Sequence, residues 1–176
     1  MTSTEPQPAS TPRPADLAKQ RFEALYRETR DDLYGYLRYM LGDSHTAEDV
    51  LAQTVERAYR KRGRFNAQRG SARAWLFGIA RNAALDELRR RKRSAVLGFV
   101  PEDTEADHTD QSHARMQVMD ALTQLEPRQR ELVALKFFGG LENRAIATVL
   151  GISASNAGTQ LHRAITTMRE AMTDEI

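Results

Sequence analysis

The sequence predicts an all-α fold: two small helical domains joined by a flexible acidic linker, the second a four-helix domain that contains a helix-turn-helix. Apolar residues recur at spacings of three and four along most of the chain, which is typical of amphipathic helices. A polar segment of about twenty residues, with Pro101 and five acids, interrupts that pattern. The 176 residues divide into a disordered tail (1–16), a first domain (17–93), the linker (94–113) and a second domain (114–176).

Composition excludes several classes of function. The chain has no cysteine, which rules out disulfides, thiolate chemistry and the usual cysteine-based zinc sites. His108 and His113 lie five residues apart in the linker without other strong ligands, so we expect no metal and no cofactor. No apolar run approaches the roughly 18 residues of a membrane span, and the N-terminus lacks the order of a signal peptide. We therefore expect a cytoplasmic protein without membrane insertion.

Positive charge is concentrated in one part of the chain. The net charge is only +2, but residues 60–93 hold twelve Lys or Arg against Asp86 and Glu87. Local patches of this kind attract nucleic acid more than overall charge does. The alternative is a basic face that is merely solvated.

The first domain begins with two predicted helices. Apolar spacing predicts a helix over 17–41, which the polar residues at 29–31 would allow to break, and Gly42 fits its C-cap. A second helix is predicted over 46–62 with Thr46 as N-cap. Its polar side carries Glu48, Asp49, Gln53 and Glu56. Taken alone, that side favours a solvated acidic face.

A loop and a third helix complete this domain. Two glycines in residues 63–71 predict a loop, in which Phe65 could stack on an unpaired base or fold back onto its own domain. Apolar residues then cover most of a helix over 73–93, so we expect a core helix with Trp75 buried. Its polar strip and basic end, which include Arg81 and Arg89, would face a polyanion.

The second domain is predicted to end in the helix-turn-helix. Pro127 fits the first turn of a helix, Gly139 and Gly140 end it, and Gly151 permits a sharp turn before a last helix with Ser153 as N-cap. The outward side of the last helix carries Ser155, Asn156, Thr159, Gln160 and Arg163. Such a helix reads the major groove of DNA, whereas an ordinary helical hairpin is the alternative.

These segments, in this order, resemble a known family. The markers are AEDV and ERAYR in the second helix, WLFGIARNAALDELRRRKR in the third, and LEPRQRELVAL, IATVLGIS and LHRA in the second domain. Over about residues 22–93 and 121–169, the chain resembles the bacterial RNA polymerase sigma factors of the extracytoplasmic-function, two-domain type. The resemblance implies binding to core RNA polymerase and promoter DNA, promoter recognition, local melting and transcription initiation. It also implies an anti-sigma factor as a partner and no small-molecule substrate.

The resemblance also implies roles for particular residues. The polar side of the second helix, Glu48, Asp49, Gln53 and Glu56, would bind core polymerase. The minus-ten element would be read and held by Phe65, Asn66, Arg73, Arg81, Asn82 and Arg89. The outward side of the last helix, Ser155, Asn156, Thr159, Gln160 and Arg163, would read the minus-thirty-five element.

The chain departs from the family at several positions, and other functions compete. Ala52 and Gln53 stand where the family often has Gln-Glu, Ala145 replaces a usual Glu, and Gly158 and Gln160 replace common cations. A stand-alone helix-turn-helix repressor or activator would also carry the second domain, but it would not need twelve cations beside an aromatic loop. An enzyme acting on nucleic acid is disfavoured because no histidine pairs with a plausible nucleophile or acid cluster. We therefore expect no enzymatic activity.

Overall fold

The computed structural model describes residues 14–96 and 113–173, and they are helical throughout apart from short turns. The first domain consists of α1 (Pro14–Leu41), α2 (Ser44–Lys61) and α3 (Ala72–Val96), with two short 3-10 turns, Arg62–Arg64 and Ala67–Arg69, between α2 and α3. The second consists of α4 (His113–Thr123), α5 (Pro127–Val133), a π-helical turn (Ala134–Phe138), α6 (Asn143–Leu150) and α7 (Ala154–Thr173). The all-α prediction is confirmed. Most of the predicted tail and linker lies outside the described residues.

Three local predictions in the first domain need correction. α1 is unbroken at residues 29–31 because Thr29 is buried and its hydroxyl donates to the carbonyl of Leu25 at 2.7 Å. The N-cap of α2 is Asp43, whose carboxylate accepts from the backbone N–H of Thr46 at 2.7 Å, so Thr46 lies inside the helix. Trp75 is only half-buried, and the fully buried large side chains of α3 are its neighbours Leu76 and Phe77.

Other predicted caps are confirmed. Gly42 follows α1 with φ +83° and Gly151 follows α6 with φ +66°, the left-handed conformation that glycine adopts without strain. The Ser153 hydroxyl accepts from the backbone N–H of Asn156 at 3.1 Å and so caps α7. Pro127 starts α5. Of these residues, Gly151 and Ser153 form the turn between α6 and α7.

Each domain has an apolar centre, and the two centres meet. In the first domain, the largest buried side chains are Leu33, Tyr36, Leu37, Val50, Leu76 and Phe77. In the second, they are Leu122, Leu132, Leu135, Leu141 and Ile146. All of these side chains belong to one continuous cluster of buried residues, so the domains share a packed boundary.

The boundary between the domains is close and aromatic. Tyr39 of α1 stacks on Phe138 with ring centroids 4.7 Å apart and an interplanar angle of 14°. A Cβ added at Gly139 would lie 2.8 Å from Cε1 of Phe77, so only glycine permits this approach. The hydroxyl of Tyr36 is buried at the boundary without a hydrogen-bond partner among the described residues, and burial raises the pKa of Tyr36. No local pattern in the sequence predicts this docking.

Candidate nucleic-acid interface

One face of α2 presents the four residues predicted to bind core polymerase. Glu48, Asp49, Gln53 and Glu56 are all exposed, because the opposite stripe of α2 packs on α1 and α3 through Ala47, Val50, Leu51, Thr54 and Ala58. Their spacing of one, four and three residues places them on one side of a helix. Arg60 reaches back to Glu56 at 2.6 Å, and His45 Nδ1 lies 3.3 Å from Asp49 Oδ2, one turn away on the same helix. The result is a compact acidic face.

The loop between α2 and α3 is ordered by its own hydrogen bonds. The Asn66 side chain accepts from the backbone N–H of Gln68 at 2.9 Å, which caps the second 3-10 turn. The Phe65 ring lies 5.6 Å from the Trp75 ring, centroid to centroid, at a tilt of 54°. Phe65 therefore packs partly on its own domain and stays half-exposed.

Three of the predicted minus-ten residues line one cleft. Phe65, Asn66 and Asn82 border a cavity of about 400 Å³, which we call the polar cleft. Sequence reasoning did not single out the cations Lys61, Arg64 and Arg69 or the hydroxyl of Ser71, which also line it. The signal available for them was the density of positive charge in 60–93. Thr148 and Val149 of α6 form part of its wall, so the second domain borders the cleft.

The structure places Arg73 and Arg81 at the domain boundary rather than in the polar cleft. Arg73 Nη2 donates to Asp32 Oδ2 at 2.5 Å and to the carbonyl oxygen of Gly139 at 2.7 Å. Arg81 donates through Nε and Nη2 to the two carboxylate oxygens of Glu131, at 2.5 and 3.1 Å. The hydrogen bond to Glu131 raises the pKa of Arg81, which stays charged. Both guanidinium groups thus bind oxygen atoms of the protein, and their predicted contact with phosphates stays a prediction.

The basic end of α3 divides into structural and free cations. Arg91 donates to the carbonyl of Leu41, to Asp43 and to Glu87, which ties the end of α3 to the turn between α1 and α2. Arg90 also pairs with Glu87. Arg89 is mostly exposed and forms only a short-range pair with Asp86 at 3.1 Å. Of the predicted phosphate-binding arginines, Arg89 is therefore the accessible one.

The outward side of α7 is open. Ser155, Asn156, Thr159 and Arg163 are exposed and Gln160 is half-exposed, while Ala157, Leu161 and Ala164 bury the other side. The Gln160 amide donates to the Asn156 Oδ1 at 2.8 Å, and the Thr159 hydroxyl donates to the carbonyl of Ser155. Amides held in this way present donors and acceptors at fixed positions, as base reading requires. The predicted set is brought together on one helix.

The described residues lack two kinds of feature. Within 14–96 and 113–173, no helix is long and apolar enough to span a membrane. The same residues bring together no group of three or more histidines and carboxylates that could hold a metal ion.

Two family models match the chain, one in each domain. Residues 25–94 match sigma-70 region 2, and residues 115–168 match sigma-70 region 4. The chain is 33% identical over 151 residues to the ECF RNA polymerase sigma factor SigL of Mycobacterium tuberculosis, covering 83% of this chain and 85% of that one. It is 31% identical to the ECF RNA polymerase sigma factor SigX of Bacillus subtilis, covering 88% and 84%.

A solved structure shares the fold. The sigma factor RpoE, solved in complex with the anti-sigma factor NepR from Bartonella quintana, matches with a TM-score of 0.68 at 23% identity, over 88% of this chain and 96% of that one. The two region models match in the expected order, and the relatives match over most of the chain. Both findings agree with the open side of α7 and with the polar cleft. The chain belongs to the extracytoplasmic-function RNA polymerase sigma factors, which direct promoter-specific transcription initiation.

Proposed function

We propose that the two domains divide promoter recognition between them. The first domain, residues 17–93, binds core polymerase through α2 and holds the opened minus-ten strand. The second, residues 114–176, reads the minus-thirty-five element as duplex. The observation that carries this proposal is the polar cleft, where an aromatic ring, two asparagines and three cations converge beside the half-buried Trp75.

The acidic face of α2 is the proposed contact with core polymerase. Four exposed polar residues occupy one side of an otherwise well-packed helix, so they are free to meet a basic partner surface. Gln53 and Glu56 lie one turn apart near its middle. With Ala52 and Gln53 in place of the usual pair, Glu56 carries more of the electrostatic attraction on this side.

The polar cleft is the proposed site for an unpaired minus-ten base. Phe65 offers a stacking face, and the Asn82 amide offers a donor and an acceptor to the edge of a base. Asn66 Oδ1 already accepts from Gln68, so its amide N–H groups remain for the ligand. Arg89 holds a phosphate, and Arg73 and Arg81 do so once the second domain releases them.

The open side of α7 is the proposed reader of the minus-thirty-five element. Asn156 and Gln160 suit adenine edges, Arg163 suits guanine or phosphate, and Ser155 and Thr159 suit either. Gly158 and Gln160 make this side less cationic than is usual in the family. We therefore expect base contacts to outweigh phosphate contacts on this helix.

Membership of the family supports a proposal for the partners and the location. The Bartonella quintana relative is held by an anti-sigma factor, and we infer that an anti-sigma factor also binds this chain. The protein acts in the cytoplasm, where its polymerase is, and contributes binding rather than catalysis. It requires no cofactor.

The test is co-purification with core polymerase followed by run-off transcription. The wild-type chain should associate with core and give a discrete transcript, and the Gln53→Ala/Glu56→Ala double variant should associate at least tenfold more weakly, because it removes two central contacts of the α2 face. Glu170→Ala, an exposed change on α7, is the matched control. Tight binding to duplex operators without polymerase, together with no association with core, would instead establish a stand-alone repressor or activator.

A further inference from the structure

Both domains build the polar cleft when they are docked. Thr148 and Val149 of α6 form part of its wall, and the other lining residues belong to the first domain. The approach is close, because a Cβ added at Gly70 would lie 3.0 Å from Cγ2 of Thr148. At about 400 Å³, the cleft lies within the range of about 300–1,000 Å³ that is typical of small-molecule sites. The docked chain therefore has room for a small ligand between its domains.

Three cations of the polar cleft lack a counter-charge. Lys61, Arg64 and Arg69 are exposed, and none of them forms an ion pair with a carboxylate of residues 14–96 or 113–173. Arg73 and Arg81, by contrast, are already paired at the domain boundary. Like charges that converge without a partner attract an anion that carries several negative charges. The cleft thus suits a phosphate chain better than a single carboxylate.

The remaining lining of the polar cleft suits a planar base. The half-exposed rings of Phe65 and Trp75 offer apolar faces on which a base can stack. The amides of Asn66 and Asn82 offer hydrogen bonds to its edge. An aromatic face, two amides and three unpaired cations in one cavity complement a base that carries phosphates.

We propose that the docked chain binds a free nucleotide of the nucleoside diphosphate class in the polar cleft. The base lies against Phe65 and Trp75, and the phosphates lie among the three cations. Because α6 also borders the ligand, binding stabilises the docked arrangement by mass action. The nucleotide also excludes the opened strand from the cleft, and this competition rests on the function proposed above. Nucleotide concentration thereby regulates the free sigma factor.

Isothermal titration calorimetry of the full-length chain tests the ligand. Guanosine 5′-diphosphate is the probe, while guanosine and pyrophosphate supply its base and its phosphates separately. We expect saturable binding of the diphosphate and at least about tenfold weaker binding of each fragment, because each makes only part of the contacts. The Arg64→Ala/Arg69→Ala double variant should bind the diphosphate at least about tenfold more weakly, since it removes two cations. Arg27→Ala, an exposed cation of α1 outside the cleft, should match wild type.

A substitution in the second domain tests whether the ligand lies between the domains. Thr148→Trp adds a ring at the α6 wall, which either fills the cleft or pushes Gly70 away and separates the domains. Both consequences should weaken binding of the diphosphate about tenfold or more. Thr166→Trp, an exposed change on α7 away from the cleft, is the matched control and should match wild type. Circular dichroism checks that all variants fold.

The outcomes separate this inference from the proposed function. Unchanged affinity in Thr148→Trp means that the first domain alone holds the ligand, which overturns binding between the domains. Pyrophosphate binding as tight as that of the diphosphate means that the cleft attracts any polyanion, which overturns the nucleotide site. A wild-type chain that binds no diphosphate but supports run-off transcription with core polymerase overturns the inference, while promoter recognition stands. Diphosphate binding with the expected variant effects, in a chain that does not associate with core, supports the nucleotide site and contradicts the proposed function.

Discussion

α3 and α7 both carry residues predicted to contact DNA, but the two helices differ in what packs against them. α7 packs on α4, α5 and α6 of its own domain and leaves its reading side exposed. α3 packs on α1 and α2 and also on α6 of the other domain, and two of its three predicted phosphate-binding arginines bind oxygen atoms outside α3. The duplex reading that we propose for α7 is therefore available on the free chain, whereas the strand holding that we propose for Arg73 and Arg81 would compete with docking of the second domain.

The largest expected effect comes from uncovering α3. Glu131→Ala removes both acceptors of Arg81 and leaves that guanidinium unpaired at the boundary, so docking should weaken by about 2 kcal/mol or more. Because the chain has no cysteine, dyes can be attached at Lys19→Cys and Glu170→Cys, and energy transfer between them should fall.

A double variant tests whether the pair itself is responsible. Adding Arg81→Ala to Glu131→Ala removes the unpaired charge, so the two changes should be non-additive and part of the docking should return. Glu142→Ala, an exposed carboxylate of the second domain, should leave energy transfer unchanged. If Glu131→Ala behaves like this control, the ion pair does not hold the domains together.

The second prediction compares the contacts that each helix makes. Asn156→Ala should lower affinity by about 1–3 kcal/mol at one minus-thirty-five position and little elsewhere, because it removes a base contact. Arg89→Ala should weaken binding to all promoters alike and reduce the salt slope by about one unit, because it removes a phosphate contact. Holoenzyme binding to promoters with single base changes, over a range of salt, measures both. Similar effects of the two variants across all sequences would contradict the distinction.

The third prediction concerns the anchored end of α3. Although burial opposes ionisation, hydrogen bonds from Thr46 and Arg91 hold the pKa of Asp43 below its ordinary value, and hydrogen bonds from Arg90 and Arg91 do the same for Glu87. Their contribution to stability is thus complete above the unfolded-state pKa of about 4 and is lost as the pH falls through the lower folded-state values.

Thermal unfolding across acidic pH tests this anchoring. Asp43→Asn keeps an N-cap of equal quality but removes the titrating charge, so the fall in stability of the first domain with decreasing pH should become shallower. Asp120→Asn, exposed on the second domain, is the control and should leave the first-domain profile as in wild type. A profile for Asp43→Asn as steep as wild type would show that the carboxylate does not contribute in this way.

The smallest effect is expected on α7. A Cβ at Gly158 would meet Asn143 Nδ2 at 3.5 Å, an ordinary van der Waals contact, and φ there is not positive. Gly158→Ala should therefore stabilise the second domain by up to about 1 kcal/mol through helix propensity. Thermal unfolding measures the gain, and Gly151→Ala provides the contrast, since φ +66° strains any side chain there and should lower stability. A loss of stability in Gly158→Ala would mean that the contact with Asn143 is not tolerated.

Sequence patterns predicted the features that depend on neighbouring residues alone, such as helix caps and the exposed faces of helices. The α6–α7 turn could be predicted because Gly151 and Ser153 cap helices only a few residues away in the chain. The exposed faces of α2 and α7 follow from helical periodicity. Trp75 shows the limit of periodicity. An apolar residue on a largely apolar helix was expected in the core, but the side of α3 that faces Phe65 is a cavity wall and leaves the indole half-exposed.

By itself, the sequence determined the all-α class, the two domains, the helix-turn-helix and the cationic character of residues 60–93. The reason is that apolar spacing, capping residues and charge depend on short stretches of sequence. Only the tertiary structure decided which cations are free. Arg73 and Arg81 look like Arg89 in the sequence, but their partners Asp32, Gly139 and Glu131 lie at least 41 positions away along the chain. Pairings over such separations depend on how helices dock, and no local pattern encodes them.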